Sequence, residues 1–115
     1  MKILIAANND VGLYKFRKEL IKELLHRGNE VYICLPKGDL VLPLQELGCH
    51  FVHTEIDRRG ITLAKDFKLA VFYYKLLRKV KPDLVITYTI KPNIYCGVAS
   101  RMTKTDYVVN ITGLG

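Results

Sequence analysis

Two carboxamides and a carboxylate follow the first apolar run of the chain directly: Asn8, Asn9 and Asp10, with Gly12 two residues on. A dinucleotide-binding turn at this place needs the glycines of G-x-G-x-x-G so that backbone can touch a pyrophosphate. Only Gly12 is present, which argues against NAD or FAD. Two readings of Asn8, Asn9 and Asp10 stay open. They can cap the helix that follows, and carboxamides beside a carboxylate also suit sugar hydroxyls.

Further along, Asp57-Arg58-Arg59-Gly60 sets adjacent arginines before a glycine. Arg58 and Arg59 can fork onto phosphate oxygens, or form a solvated basic loop paired with Asp57. The stretch TYTIKPNIY follows the apolar run DLVI and presents Tyr88, Thr89, Lys91 and Asn93. Pro92 suits the first turn of a helix, where its missing N–H costs little. Such a start leaves free N–H groups and Lys91 facing a cleft, a positive end for hydroxyls or phosphate. Ile90, Ile94 and Tyr95 read as packing.

Other chemistries lack their residues. His50 and His53 have odd spacing, so on a strand they point to opposite faces and do not chelate one metal. Strand-end carboxylate pairs, a Ser-His-Asp set and a P-loop are all missing, and the position after the third strand carries His53-Thr54 where a phosphorylation receiver would have aspartate. No metal is expected, and no catalytic residue is assigned.

The elements that must position these residues follow from hydrophobic period. Short apolar runs cover Lys2 to Ala7, Glu30 to Leu35, His50 to His53, Asp83 to Thr87 and Tyr107 to Ile111. Helical patterns lie between them. The first has the stripe Leu13, Phe16, Leu20, Ile21, Leu24 and Leu25, ending at Gly28. Three more run from Val41 to Leu47, from about Ala64 to Val80, and from Pro92 to Met102. Continuous apolar strands alternating with helices predict an α/β fold: a doubly wound, Rossmann-like parallel sheet of five strands, order 3-2-1-4-5, with helices on both faces. Ligands of such sheets sit outside the carboxyl ends of the strands, at the switch in strand order. That edge collects Asn8 to Asp10, Pro36 to Asp39, Glu55 to Thr62, Tyr88 to Asn93, and Thr112 to Gly115.

The chain has 115 residues and a net charge of +7, which suggests an anionic partner. Its three cysteines, Cys34, Cys49 and Cys96, have no C-x-x-C pairing and read as reduced, buried thiols of a cytosolic chain. No apolar run approaches the roughly 18 residues of a membrane span. The long helix carries a core stripe of Leu69, Phe72, Tyr73, Leu76, Leu77 and Val80. Opposite lies a second stripe, Phe67, Val71 and Tyr74, above Arg78 and flanked by Lys68, Lys75 and Lys81. Apolar tips rimmed by lysine describe a helix lying on an anionic bilayer, or a contact with a missing domain, a neighbouring helix or another subunit. No RNA-binding signature accompanies the charge, and nucleic acid is not expected.

MKILIAANND, the DRRG loop, KPDLVITYTIKPNIYCG and the closing NITGLG together resemble the N-terminal half of bacterial family 4 glycosyltransferases with the GT-B fold, closest to those that extend lipid-linked surface polysaccharides or glycans. The resemblance spans essentially the whole chain. It implies a two-domain enzyme whose N-terminal, acceptor-side half is residues 1–115, with a C-terminal donor domain beyond this chain. The implied reaction is metal-independent, retaining transfer from a nucleotide sugar, a UDP-sugar, to a polyprenyl-diphosphate-linked acceptor, with no cofactor. Carried over by position, Asn8, Asn9, Asp10 and Gly12 face the interdomain cleft. Arg58 and Arg59 approach the acceptor's phosphate or headgroup, Tyr88, Thr89, Lys91 and Asn93 line the cleft, and Thr112, Gly113 and Gly115 approach the donor diphosphate. Cys96 departs from a glycine in that pattern. Many relatives place a catalytically relevant histidine beyond the fifth strand, and this chain has none there to assign. Such an enzyme would be cytoplasmic and peripheral on the inner face of the membrane, reached through the helix bearing Phe67, Lys68, Val71, Tyr74, Lys75 and Arg78. A stand-alone flavodoxin-like module that binds a phosphorylated small molecule is the alternative.

Overall fold

In a computed structural model that describes residues 1–57, 60 and 62–111, five parallel strands form one sheet in the order β3-β2-β1-β4-β5. They are β1 (Lys2–Ala6), β2 (Glu30–Leu35), β3 (His50–His53), β4 (Leu84–Tyr88) and β5 (Asp106–Asn110). The predicted order and all strand positions hold, with ends displaced by at most a residue. In the centre, Ile5 pairs with Ile33 on one side and Ile86 on the other.

The alternation of strand side chains makes two apolar layers. Ile3, Ile5, Val31, Ile33, Leu35, Ile86 and Tyr88 face α1 (Asp10–His26) and α2 (Val41–Leu47). Leu4, Ala6, Cys34 and Val85 face α3 (Leu63–Val80) and α4 (Gly97–Met102). Because β1 leads to α1 on one face and β4 leads to α4 on the other, the β1–β4 junction is the topological switch.

Local chemistry sets the helix ends. Asn9 caps α1, its Oδ1 accepting from Gly12 N at 2.8 Å. Gly48 ends α2 at φ +123, a conformation that costs an L side chain dearly. Lys81, also left-handed, closes α3 before Pro82. The fourth helical segment departs from expectation. It is helical from residue 90, before Pro92, and passes through a π-helical turn, Pro92–Cys96, before α4. Single π turns inside helices occur frequently at functional sites.

The predicted core of α3 is observed: Leu69, Tyr73, Leu76 and Leu77 are buried, with Phe72 and Val80 packed beside them. That of α1 needs correction. Leu13 and Ile21 are buried, but Phe16 is 76% exposed and Leu20 also faces outward, because the helix presents a narrower face to β1 and β2 than the apolar spacing suggested. Ile90 and Ile94, read as packing, are exposed too. With Val98 and Met102 they form an outward stripe at four-residue spacing. Edge strand β5 leaves Val108 and Val109 50% and 41% exposed. The three cysteines are buried and free. Burial pushes the Cys34 thiol up, that of Cys49 to about 11 and that of Cys96 to about 12, so none is a nucleophile at neutral pH.

Candidate active site

At the switch lies a cavity of about 540 Å³ lined by Asn8, Asn9, Gly12, Phe16, Arg17, Tyr88, Thr89 and neighbouring apolar groups. Five residues singled out by sequence meet here: Asn8, Asn9, Gly12, Tyr88 and Thr89. The loop after β1 is held by its own amides. Asn9 Nδ2 donates to Asn8 Oδ1 at 2.8 Å while Asn9 Oδ1 caps α1. Capping and cavity lining are therefore compatible roles for Asn9.

Asp10 does not line this cavity. Its carboxylate is buried beneath the loop after β2, where Oδ2 accepts from Leu40 N at 2.7 Å. Gly38 lies so close that a Cβ there would sit 2.2 Å from the same oxygen. The expectation that Asp10 faces a cleft is corrected: the tight glycine turn brings an amide donor inward, and a carboxylate with that donor turns toward it.

Thr89 is the strained residue of the site. A β-branched side chain at φ +73 is a conformational outlier, and such outliers cluster at active sites and ligand clamps. Its hydroxyl donates to the carbonyl of Tyr88. Arg17, on α1, places its guanidinium 5.0 Å from the centroid of the Tyr88 ring. Burial pushes the Tyr88 hydroxyl up, and the Arg17 charge draws it partly back.

Lys91 and Asn93 go elsewhere. The Lys91 ammonium is 2.9 Å from Asp66 Oδ1 and donates to the Gly60 carbonyl at 2.6 Å. With side chains 12% and 6% exposed, Lys91 and Asp66 make an enclosed pair, to which Tyr95 donates through its hydroxyl at 3.0 Å. The Lys91 hydrogen bond holds the Asp66 carboxyl below its ordinary range, and donation to that carboxylate raises Tyr95. The cleft-facing expectation for Lys91 is corrected, whereas Tyr95 packs against the core as expected and adds its hydroxyl contact to Asp66. Starting the helix at residue 90 swings Lys91 toward α3, where a sequestered ammonium finds the carboxylate it requires. Asn93 Nδ2 donates to the Asn110 carbonyl at 2.8 Å, tying the π turn to the end of β5.

A second cavity, about 650 Å³, lies between the exit of β3 and α3, lined by residues including Glu55, Asp57, Lys65, Asp66, Lys68 and Phe72. Arg58 and Arg59 adjoin it in sequence; they, and Thr112, Gly113 and Gly115, lie outside the described residues. On α3 the second stripe is narrower than expected. Phe67 is 71% exposed, but Val71 is half-buried and Tyr74 packs against the core. The Tyr74 hydroxyl accepts from Arg78 at 3.1 Å. Lys68, Lys75 and Arg78 remain outward. No helix among the described residues is long and apolar enough to cross a membrane, and they hold no cluster of three or more metal-ligating side chains.

The model of the "Glycosyl transferase 4-like" family matches residues 2–115. The chain belongs to that family. This glycosyl transferase 4-like chain is 25% identical over 116 residues to the N,N'-diacetylbacillosaminyl-diphospho-undecaprenol alpha-1,3-N-acetylgalactosaminyltransferase of Campylobacter jejuni, covering all of this chain and 31% of that protein. It is 37% identical over 79 residues to the UDP-Gal:alpha-D-GlcNAc-diphosphoundecaprenol alpha-1,3-galactosyltransferase of Escherichia coli, covering 68% of this chain and 20% of that one. The chain thus spans under a third of the length of these curated relatives. Its fold matches a glycosyltransferase from Rickettsia africae (TM-score 0.77, 18% identity, 94% of this chain and 28% of that one) and MurG of Acinetobacter baumannii (0.77, 16%, 96% and 34%).

Among the site residues, Arg17, Phe16, Asp66 and Tyr95 went unrecognised in the sequence. Arg17 had a usable signal. It stands one helical turn beyond Leu13, on the face that points to the strand ends. Asp66 offered only its place in the first turn of α3, where an acidic residue is ordinary.

Proposed function

We propose that this chain is the acceptor-binding half of a retaining glycosyltransferase of the GT-B type. In that reading the whole protein transfers a sugar from a nucleotide sugar, a UDP-sugar, to a polyprenyl-diphosphate-linked glycan during surface polysaccharide biosynthesis. The observation that carries it is the family match over the full sheet, joined to two relatives whose names both specify an undecaprenol-diphosphate-linked substrate. The cavity suits the role. Carboxamides of Asn8 and Asn9 and the Thr89 hydroxyl offer donors and acceptors for sugar hydroxyls, and the missing glycine fingerprint leaves nucleotide recognition to another domain. The exposed faces of β5 and of the Ile90-Ile94-Val98-Met102 stripe are surfaces that further elements of a longer protein would cover.

The enzyme meets its lipid-linked acceptor from the cytoplasmic side without spanning, by laying α3 on the anionic surface through Phe67, Lys68, Lys75 and Arg78. No metal or cofactor takes part. Arg58 and Arg59 engage the acceptor's phosphate groups, and Thr112, Gly113 and Gly115 approach the donor diphosphate. The test is sugar transfer by the intact protein from UDP-sugars to a polyprenyl-diphosphate-linked glycan. Replacing Arg58 and Arg59 with alanine is expected to raise the acceptor KM more than the donor KM; an unchanged acceptor KM refutes their role.

A further inference from the structure

The cavity at the switch contains one feature that family membership does not assign. Among its described lining residues Arg17 is the only charged one, and among the described residues it forms no hydrogen bond or ion pair. It is half-buried, so its charge is partly withdrawn from water without a compensating carboxylate. Its orientation is nevertheless set, since the guanidinium lies 5.0 Å from the centroid of the Tyr88 ring. A cation–π contact of this kind holds the guanidinium over the ring while leaving its N–H donors free for a ligand. Tyr88 is itself fixed at 5% exposure in the last position of β4. The pair therefore forms a preorganised arm, built from α1 and β4, across the mouth of a cavity whose other polar walls are the Asn8 and Asn9 amides.

We infer that Arg17, held by Tyr88, is an oxyanion-binding residue that takes a diphosphate oxygen of a substrate in the switch cavity. The inference rests on the glycosyltransferase reading for the substrate's identity, though not for its charge. Two substrates of that reaction carry a diphosphate, the nucleotide sugar and the lipid-linked acceptor. Arginine suits either because its planar donors match phosphate oxygens bidentately, whereas lysine supplies a point charge and does not stack in the same way. Tyr88 is a positioning residue and needs no contact with the ligand.

The experiment uses the intact protein, with inorganic diphosphate as the first probe in calorimetry. Arg17→Gln is expected to weaken diphosphate binding about tenfold or more, the scale of a lost charge-assisted hydrogen bond. Arg17→Lys should restore only part of it, and Tyr88→Leu should weaken binding with Arg17 still present. The exposed Arg101 on α4 is the control, and Arg101→Gln should leave binding unchanged. Thermal unfolding of each variant identifies any that fail to fold, and Arg17→Lys then carries the test. Titration with UDP, and separately with a short-chain polyprenyl diphosphate, assigns the source: the ligand whose affinity drops in Arg17→Gln is the one whose diphosphate Arg17 holds. Diphosphate affinity unchanged in both Arg17 variants overturns the inference, as does a drop in Arg101→Gln equal to that in Arg17→Gln. Because binding is read directly, Arg17-dependent binding without sugar transfer would sink the proposed function and leave this inference standing.

Discussion

Replacing Thr89 with glycine should make the protein more stable than replacing it with alanine. Both substitutions remove the hydroxyl that donates to the Tyr88 carbonyl, so their difference isolates the backbone. At φ +73 an L side chain costs about 1.5 kcal/mol that glycine does not incur. Glycine gives back about 0.7 kcal/mol through the added freedom of its unfolded chain. Glycine should therefore exceed alanine by roughly 0.8 kcal/mol, about 3 °C in Tm for a domain of this size. Thermal and urea unfolding of the intact protein provide the measurement, with Thr89→Asn, which tolerates this conformation, expected near glycine. Alanine equal to or more stable than glycine would refute the left-handed conformation and the strain at the site. In the transfer assay the glycine variant should lose acceptor use despite its stability, as expected where strain preorganises a site.

Three further outcomes follow from other groups. The Tyr73 hydroxyl is buried without a hydrogen-bond partner among the described residues, so Tyr73→Phe should be neutral or stabilising by about 1 kcal/mol in urea titration; a comparable loss would reveal a bound partner. Asp66 is held below its ordinary pKa chiefly by the Lys91 hydrogen bond, with Tyr95 also stabilising the carboxylate and burial, then Asp57, opposing. Its contribution should be fully present above the unfolded value near 3.8 and fade as pH falls through the lower folded value. The stability gap between the native protein and Asp66→Asn should thus be constant from pH 7 to 5 and close below pH ~4; a gap unchanged at pH 3 would contradict the pairing. Changing Phe67 to serine with Lys68 and Lys75 to glutamine should lower cosedimentation with anionic vesicles, each lysine contributing about 1 kcal/mol, and undiminished binding would return α3 to an interdomain or subunit contact.

The sheet was legible in the sequence because its central strands β1, β2 and β4 are buried on both faces and read as apolar runs between helical patterns. The more exposed edge strands β3 and β5 still carry short apolar runs. Strand order then followed from right-handed crossovers and the two-sided helix arrangement. The site was legible only as a neighbourhood. Being at the carboxyl edge brought Asn8, Asn9, Gly12, Tyr88 and Thr89 together, but nothing in a sequence reports which way a polar side chain turns. Asp10 turned to an amide thirty residues on, and Lys91 to a carboxylate twenty-five residues back. Both are long-range pairings made by burial. A proline also misled: Pro92 reads as a helix start, whereas the helix starts at residue 90 and a π turn accommodates the ring. Phe16 shows the converse, an apolar residue at core spacing that stands at the mouth of the cavity instead.

The most direct test of the account is a paired transfer assay of the intact protein and of residues 1–115 alone, with a UDP-sugar and a polyprenyl-diphosphate-linked glycan. The account predicts a product one sugar longer, with the donor's anomeric configuration retained, from the intact protein and none from residues 1–115. Transfer by residues 1–115 alone, or an inverted product from the intact protein, would contradict it.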